Sequence, residues 1–174
     1  MDREFFMTTE RLGFSVWTAE DEPLAFRLWG DPQVTRYICA SGIFTPEEIR
    51  GRLQTEIRNR ELCGVQYWPI FDRQSGELAG CCGLRPHGEH NFELGFHLRS
   101  EYWGRGLAAE AAEAVIRMAF ADLGAAELFA GHNPKNVNSA KVLKKLGFVY
   151  TGDEFYPPTG LYHPSYILKK DQKL

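Results

Sequence analysis

The sequence predicts an α/β fold: a single mixed, mostly antiparallel sheet of about seven strands flanked by helices. Three observations carry this. By hydrophobic periodicity the elements run strand, two helices, three strands, helix, strand, helix, two strands. The segment NFELGFHL (91–98) sets Phe92, Leu94, Phe96 and Leu98 against Asn91, Glu93, Gly95 and His97, the alternation of a half-buried strand. Arg73-Gln74-Ser75-Gly76 is a hairpin turn that makes its flanking strands antiparallel. At 174 residues the chain is expected to be one domain, residues 1–174. Folding at this size buries roughly 70% of the extended chain's surface, so no disulfide or metal staple is needed.

Residues 9–17, TERLGFSVW, read as the first strand, followed by helical segments near 20–30 and 45–61. Thr45 can cap the second helix, Pro46 suits its first position, and Glu47 and Glu48 meet the positive end of its dipole. Strands follow at 65–72 and 77–85, and Pro69 is expected to place the first at an edge or a bulge. After strand 91–98 comes a Gly104–Gly106 loop, then an alanine-rich helix to about Phe120. Its apolar stripe is Leu107, Ala111, Val115 and Met118, widened by Ile116 and Phe120. Strand 126–131 precedes a helix at 137–146. That helix is expected to bury Val142, Leu143 and Leu146, expose Lys141, Lys144 and Lys145, and stop at Gly147. Strands near 148–152 and 163–169 close the chain.

Hydrophobic residues make up 44% of the chain and charged residues 25%, with a net charge of −3. Such a composition excludes a disordered, collagen-like or membrane protein. A mildly acidic chain has no global field to gather nucleic acid or anionic lipid, so neither partner is expected. Trp68, Tyr67 and Phe71 accordingly read as core aromatics rather than a base-stacking platform. No stretch approaches the roughly 20 apolar residues of a membrane span. The opening MDREFFMTTERL has acids and no long apolar run, so a cytoplasmic protein without a signal peptide is expected. Cys39, Cys63, Cys81 and Cys82 show no CxxC spacing and read as small buried hydrophobes in a reducing compartment. Cys81 and Cys82, adjacent in a strand, point to opposite faces. His87, Glu89 and His90 lack HExxH spacing and fall in a hairpin loop, so no metal is expected.

The most informative run is EYWGRGLAAEAAEAV, 101–115. Two glycines between a strand and a helix let the backbone approach something bulky, and the first N–H groups of the helix form an anion cradle suited to phosphate. Its first turn carries Arg105 and no acid before Glu110, which favours an exogenous anion. Gly104, Gly106 and Ala109 also satisfy a dinucleotide fingerprint. However, Arg99 to Trp103 separate the loop from its strand, His132-Asn133 stand where an acid is wanted, and the unit begins past the midpoint. A Walker loop is excluded for lack of Gly-Lys-Ser/Thr.

From TERLGFSVWTAEDE through FHLRSEYWGRGLAAEAA to NPKNVNSAKVLKKLGF, the chain resembles the GNAT superfamily of acetyl-coenzyme A-dependent N-acetyltransferases, in the branch of ribosomal-protein N-terminal acetyltransferases. The resemblance implies a GNAT-like sheet splayed at the acetyl-CoA site. It implies that main-chain amides of Trp103, Gly104, Arg105, Gly106, Leu107 and Ala108 hold the pyrophosphate. Backbone of Phe96, His97 and Leu98 would pair with the pantetheine arm, and Asn136 with Ser139 would lie against the cofactor. Three positions depart from the family: Glu101 replaces its glutamine or arginine, Leu143 its tyrosine acid, and Ser15 the last arginine of its RLxLR opening.

Acetyl transfer needs a fixed thioester, a polarised carbonyl and a base for the ammonium. Backbone N–H groups of the splayed strand can supply an oxyanion hole. Glu93 and His97 are the base candidates, with Gly95 between them leaving room for substrate. The resemblance favours the carboxylate, Glu93. Ser139 is a candidate donor to the leaving thiolate, and equally a candidate cap. Cys81 and Cys82 show no paired base, which favours direct attack over an acyl-cysteine. The expected function is transfer of acetyl from acetyl-CoA, with no metal, to a primary amine of a protein N-terminus or a small molecule. The alternative is a non-catalytic acyl-CoA binding or sensing domain. Residues 31–44 and Phe155 to Pro164 are expected to wall the acceptor cleft, where Asp153 and Glu154 suit either a cation or a solvated turn. A monomer or homodimer is expected.

Overall fold

The computed structural model describes residues 3–172. Strands β1 (Met7–Thr8) and β2 (Leu12–Phe14) lead to helices α1 (Glu22–Trp29), α2 (Pro32–Thr35) and α3 (Pro46–Cys63). Strands β3 (Tyr67–Asp72), β4 (Leu78–His87) and β5 (Asn91–Leu98) follow, then α4 (Leu107–Ala121), β6 (Glu127–Gly131), α5 (Val137–Lys145), β7 (Val149–Tyr156) and β8 (Leu161–Lys169). The strands form one sheet in the order β1-β2-β3-β4-β5-β6-β8-β7. Among the described residues no helix is long and apolar enough to cross a membrane.

The mixed, mostly antiparallel sheet is the one expected, with eight strands in place of seven. The expected strand at 9–17 is shorter, because Thr9 N donates to Leu12 O and Thr9 Oγ1 accepts from Leu12 N. That turn folds Met7–Thr8 back as a further strand. Pro69 does not mark an edge. β3 lies between β2 and β4, and its irregularity is a register shift at Ile70/Phe71.

α3 begins as its sequence dictates. Thr45 accepts from Glu48 N at 3.2 Å, Glu48 accepts from Thr45 N at 2.7 Å, and Pro46 occupies the first helical position. Gly64, at φ 73, ends it. α5 is capped by Asn136 and stops at Gly147, where φ is 92.

Two apolar clusters sandwich the sheet. On one face Leu107, Ala111, Val115, Ile116 and Phe120 of α4 pack on Leu84, Leu94, Leu98 and Cys82. On the other, Trp29, Ile49 and Leu53 of α1 and α3 cover Tyr67, Phe71, Leu78 and Cys81. Cys81 and Cys82 thus face opposite ways and are buried, whereas Cys63 is exposed and Cys39 half-buried, against the expectation for all four.

The consequential irregularity is the junction of β5 and β6, the sheet's parallel pair. Only Phe92↔Leu128 and Glu93↔Phe129 are in register, and β5 runs on to Leu98 without its neighbour. The sheet is split there.

Candidate active site

A cavity of about 730 Å³ opens at the split. It is lined by residues from both faces of the sheet: the loop before α4 and part of α5, then Tyr67, Arg85, Glu93 and His97, with Arg52 from α3.

Its first end is the glycine loop. Gly104 and Gly106 have φ of 71 and 75, and Gly106 is the N-cap of α4 with no side chain capping the helix. The first-turn N–H groups are therefore available to an anion. Glu110, the first acid of α4, is turned elsewhere. It accepts from Thr9 Oγ1 at 2.5 Å, Arg11 N at 2.9 Å and Arg11 Nε at 2.7 Å, and Arg11 in turn donates to Arg105 O at 2.8 Å. The amino-terminal hairpin so holds the loop. Arg105 itself points out toward Asp72, 3.7 Å away, and its side chain does not line the cavity. Glu101 is exposed and pairs with Arg99 at 2.5 Å.

The free edge of β5 leads inward. Trp103 Nε1 donates to Leu98 O at 2.9 Å, so that carbonyl is already engaged, while Phe96 and His97 border the cavity. Asn136 caps α5 by accepting from Ser139 N at 3.2 Å. Ser139 is therefore not the cap; it borders the cavity, and its hydroxyl has no partner among the described residues. Leu143 is buried at the expected tyrosine position.

At the second end Glu93, Gly95 and His97 share the α3 face with Arg85 and Cys81, their neighbours across β4. Burial raises the Glu93 carboxyl above the usual range despite the opposing pull of Arg85, His87 and Arg52. Among the described residues it has no ion-pair partner, and its basicity is heightened. His97 is different. Trp29 Nε1, which can only donate, reaches His97 Nδ1 at 3.3 Å, so Nδ1 is an acceptor and a neutral ring carries its proton on Nε2. Burial, with Arg52 and Arg85 adding, pushes its pKa well below normal. The ring is therefore a poor general base. Cys81 Sγ lies 3.6 Å from His97 Nδ1, a nitrogen that already accepts from Trp29. Burial lifts that thiol to about 12, which holds it protonated.

Gly95 does not leave room for substrate as expected; the ring of Tyr67 fills the space a side chain there would need. Tyr67 reaches the cavity, and its backbone N–H donates to Glu56 Oε2 at 2.8 Å. Glu56, fully buried, is also ion-paired with Arg85, whose guanidinium lies over the Tyr67 ring at 4.2 Å. Sequence reasoning missed Tyr67, Arg85, Glu56 and Arg52 as site residues. The i, i+4 spacing of Arg52 and Glu56 on α3 was the available signal.

Parts of the two segments expected to wall an acceptor cleft border this cavity. Gln33, Val34, Arg36, Tyr37 and Ile38, with Phe155, Tyr156 and His163, line the cavity, and Ala40 N donates to Pro158 O at 2.9 Å to join the two loops. His87 stacks on Phe129 at 4.3 Å and also borders the cavity. Among the described residues no group of three His, Cys, Asp or Glu is placed to hold a metal ion.

Comparison with known proteins gives consistent results. The family model for the acetyltransferase (GNAT) domain matches residues 11–149. An uncharacterized N-acetyltransferase, p20, from Bacillus licheniformis is 30% identical over 147 residues, spanning 83% of this chain and 82% of its own. In fold, an acetyltransferase of the GNAT family from Bacillus anthracis superposes with a TM-score of 0.81 at 23% identity, covering 96% of this chain and 99% of its own. A spermidine N-acetyltransferase from Vibrio cholerae, solved with CoA and spermine, gives 0.76 at 15% identity, covering 94% and 98%.

Proposed function

Because the chain belongs to the acetyltransferase (GNAT) domain family, whose reaction is acetyl transfer from acetyl-CoA, we propose that it acetylates a primary amine by direct attack, with Glu93 as the base. The observation that carries this reading is the split between β5 and β6, which gives one cavity an uncapped glycine loop and a basic carboxylate.

The residues present fit acetyl-CoA. The loop from Trp103 to Ala108 and the first turn of α4 offer N–H groups and a positive dipole end to the pyrophosphate, and positive-φ glycines keep side chains out of the way. The free edge of β5 at Phe96 and His97 offers backbone groups to the pantetheine amides. Bound acetyl-CoA supplies a thioester, the activated acyl donor.

The chain's own residues do the rest. The ammonium must lose a proton before nitrogen can attack the thioester carbon, and Glu93 accepts it directly or through one water. As the C–N bond forms and the C–S bond breaks, nitrogen gives up its second proton to Ser139 Oγ while Ser139 passes its own to the departing CoA sulfur, so the serine hydroxyl is restored. Leu143 cannot fill that role.

The test is thiol release from acetyl-CoA with a panel of amines, paired with calorimetric binding of acetyl-CoA and, as control, NADH. Selective acetyl-CoA binding with amine-dependent thiol release is the expected result. Binding without release for any amine identifies a non-catalytic acyl-CoA binding domain instead.

A further inference from the structure

Arg52 carries a charge that feels Glu56 and Glu93 at a distance but has no carboxylate in contact. Among the described residues its guanidinium has no hydrogen-bond or ion-pair partner, and its Nε is buried. Arg3 and Arg85 also have a buried, unpartnered Nε, but each has a carboxylate on its other nitrogens, Asp21 and Glu56 respectively. The acids one turn from Arg52 on α3 are Glu48, which accepts from Thr45 N in the cap, and Glu56, which is committed to Arg85 and the Tyr67 N–H. The next guanidinium, Arg85, repels it.

The surroundings of Arg52 are suited to a ligand. Its guanidinium packs against the rings of Trp29 at 5.2 Å and Phe44 at 5.6 Å. Such stacking fixes the plane and leaves the N–H edges free, the arrangement that pairs with a planar carboxylate through two parallel hydrogen bonds. Arg52 lines the cavity together with Tyr67, Arg85, Glu93 and His97, and a second carboxylate, the exposed Glu154, borders it beside Glu93. The phosphates of acetyl-CoA are not the missing anion, since the glycine loop that suits them is at the cavity's other end. Glu93 is not the missing partner either. It forms no ion pair with Arg52, and in transfer it must take up a proton, which leaves two guanidiniums facing the single carboxylate of Glu56.

We infer that Arg52 binds a carboxylate on the acceptor, so that the acceptor is an amine bearing its own carboxylate, as an amino acid or an acidic peptide does, and not a polycation. This rests on the acetyltransferase reading above. With the amine at Glu93 and the carboxylate at Arg52, both charges of such an acceptor meet their opposites in one chamber.

The test compares amino acids with their own amides, and amino-terminal peptides carrying Asp with those carrying Asn, beside spermidine, at saturating acetyl-CoA. The carboxylate form is expected to lead in kcat/KM by about 10- to 100-fold, the scale of a charge-assisted bidentate contact. Arg52→Gln should bring that ratio close to one by raising KM for the carboxylate form, and Arg52→Lys should keep part of it. Which pair shows the effect separates a free amino acid from a peptide. Turnover of amides or spermidine at least as fast as carboxylates overturns the inference while leaving acetyl transfer intact. If no amine gives thiol release, acetyl transfer fails, and calorimetry of the same pairs on the CoA complex decides the inference: carboxylate selectivity lost in Arg52→Gln upholds it, and absent selectivity overturns it. If Arg52→Gln does not fold, the wild-type ratio within each pair decides alone.

Discussion

The ring of Tyr67 occupies the volume that any side chain at Gly95 would require, with Cζ and Oη lying where a Cβ would be built. Tyr67 cannot back away, because its neighbours pin its backbone. Glu56 accepts its N–H, and its carbonyl accepts from Trp17 Nε1 at 2.7 Å. The middle of the polar face of β5 is thus closed by an aromatic ring, with Glu93 and His97 on either side.

Gly95→Ala is therefore expected to destabilise the protein by about 1–3 kcal/mol, the usual cost of overpacking. Urea denaturation measures it, and a cycle with Tyr67→Leu tests the cause. The double variant should recover about 0.5–3 kcal/mol relative to the sum of the single changes. Simple additivity would mean that the ring and the glycine do not compete for space.

Glu56 is fully buried, and Glu56→Gln breaks its ion pair with Arg85 while keeping an acceptor for Tyr67 N–H. Removing one partner of a buried pair costs about 3–5 kcal/mol, and the partial exposure of Arg85 places this case toward the lower end. Chemical denaturation reads the loss. A variant as stable as the parent contradicts the assignment of Glu56 as the counter-charge.

His97 makes stability fall in acid. Its folded pKa is depressed by burial, so below the ordinary histidine value of about 6.5 the unfolded chain binds a proton that the folded chain does not. Stability from this residue is present above that value and declines as pH drops through it. His97→Gln retains an acceptor for Trp29 and should flatten the midpoint's dependence between pH 7.5 and pH 5.5. His163, depressed by burial to a lesser degree, leaves a residual slope. An identical slope in both proteins sinks the account of His97.

Arg11 holds the glycine loop through Arg105 O and is itself held by Glu110. Arg11→Ala should weaken acetyl-CoA binding by about fivefold, as loss of one partly exposed charge-assisted bond implies. Calorimetry checks this, and unchanged affinity would show that the loop keeps its shape unaided.

Local chemistry was legible in the sequence where it was self-contained. Thr45 and Glu48 marked the start of α3, the alternation around Leu94 fixed which residues of β5 face which way, and Gly104 and Gly106 announced the cradle. Residues whose roles depend on distant partners were not legible. Glu56 and Arg85 are 29 positions apart and meet only when α3 lies across β4. Tyr67 reads as a core aromatic because most of it is one; its reach into the cavity depends on the absence of a side chain at Gly95. The extra strand was hidden because a two-residue pairing such as Met7–Thr8 has no periodicity to detect.

If Glu93 removes the proton from the amine, single-turnover thiol release followed from pH 5 to 9 depends on its ionisation. Burial raises the Glu93 carboxyl, so the acid limb of the wild-type profile should lie above the ordinary glutamate range of about 4.3. Glu93→Gln should bind acetyl-CoA, lose that limb and fall at least about 100-fold in rate. A Glu93→Gln protein that keeps both the wild-type rate and the acid limb would contradict the account.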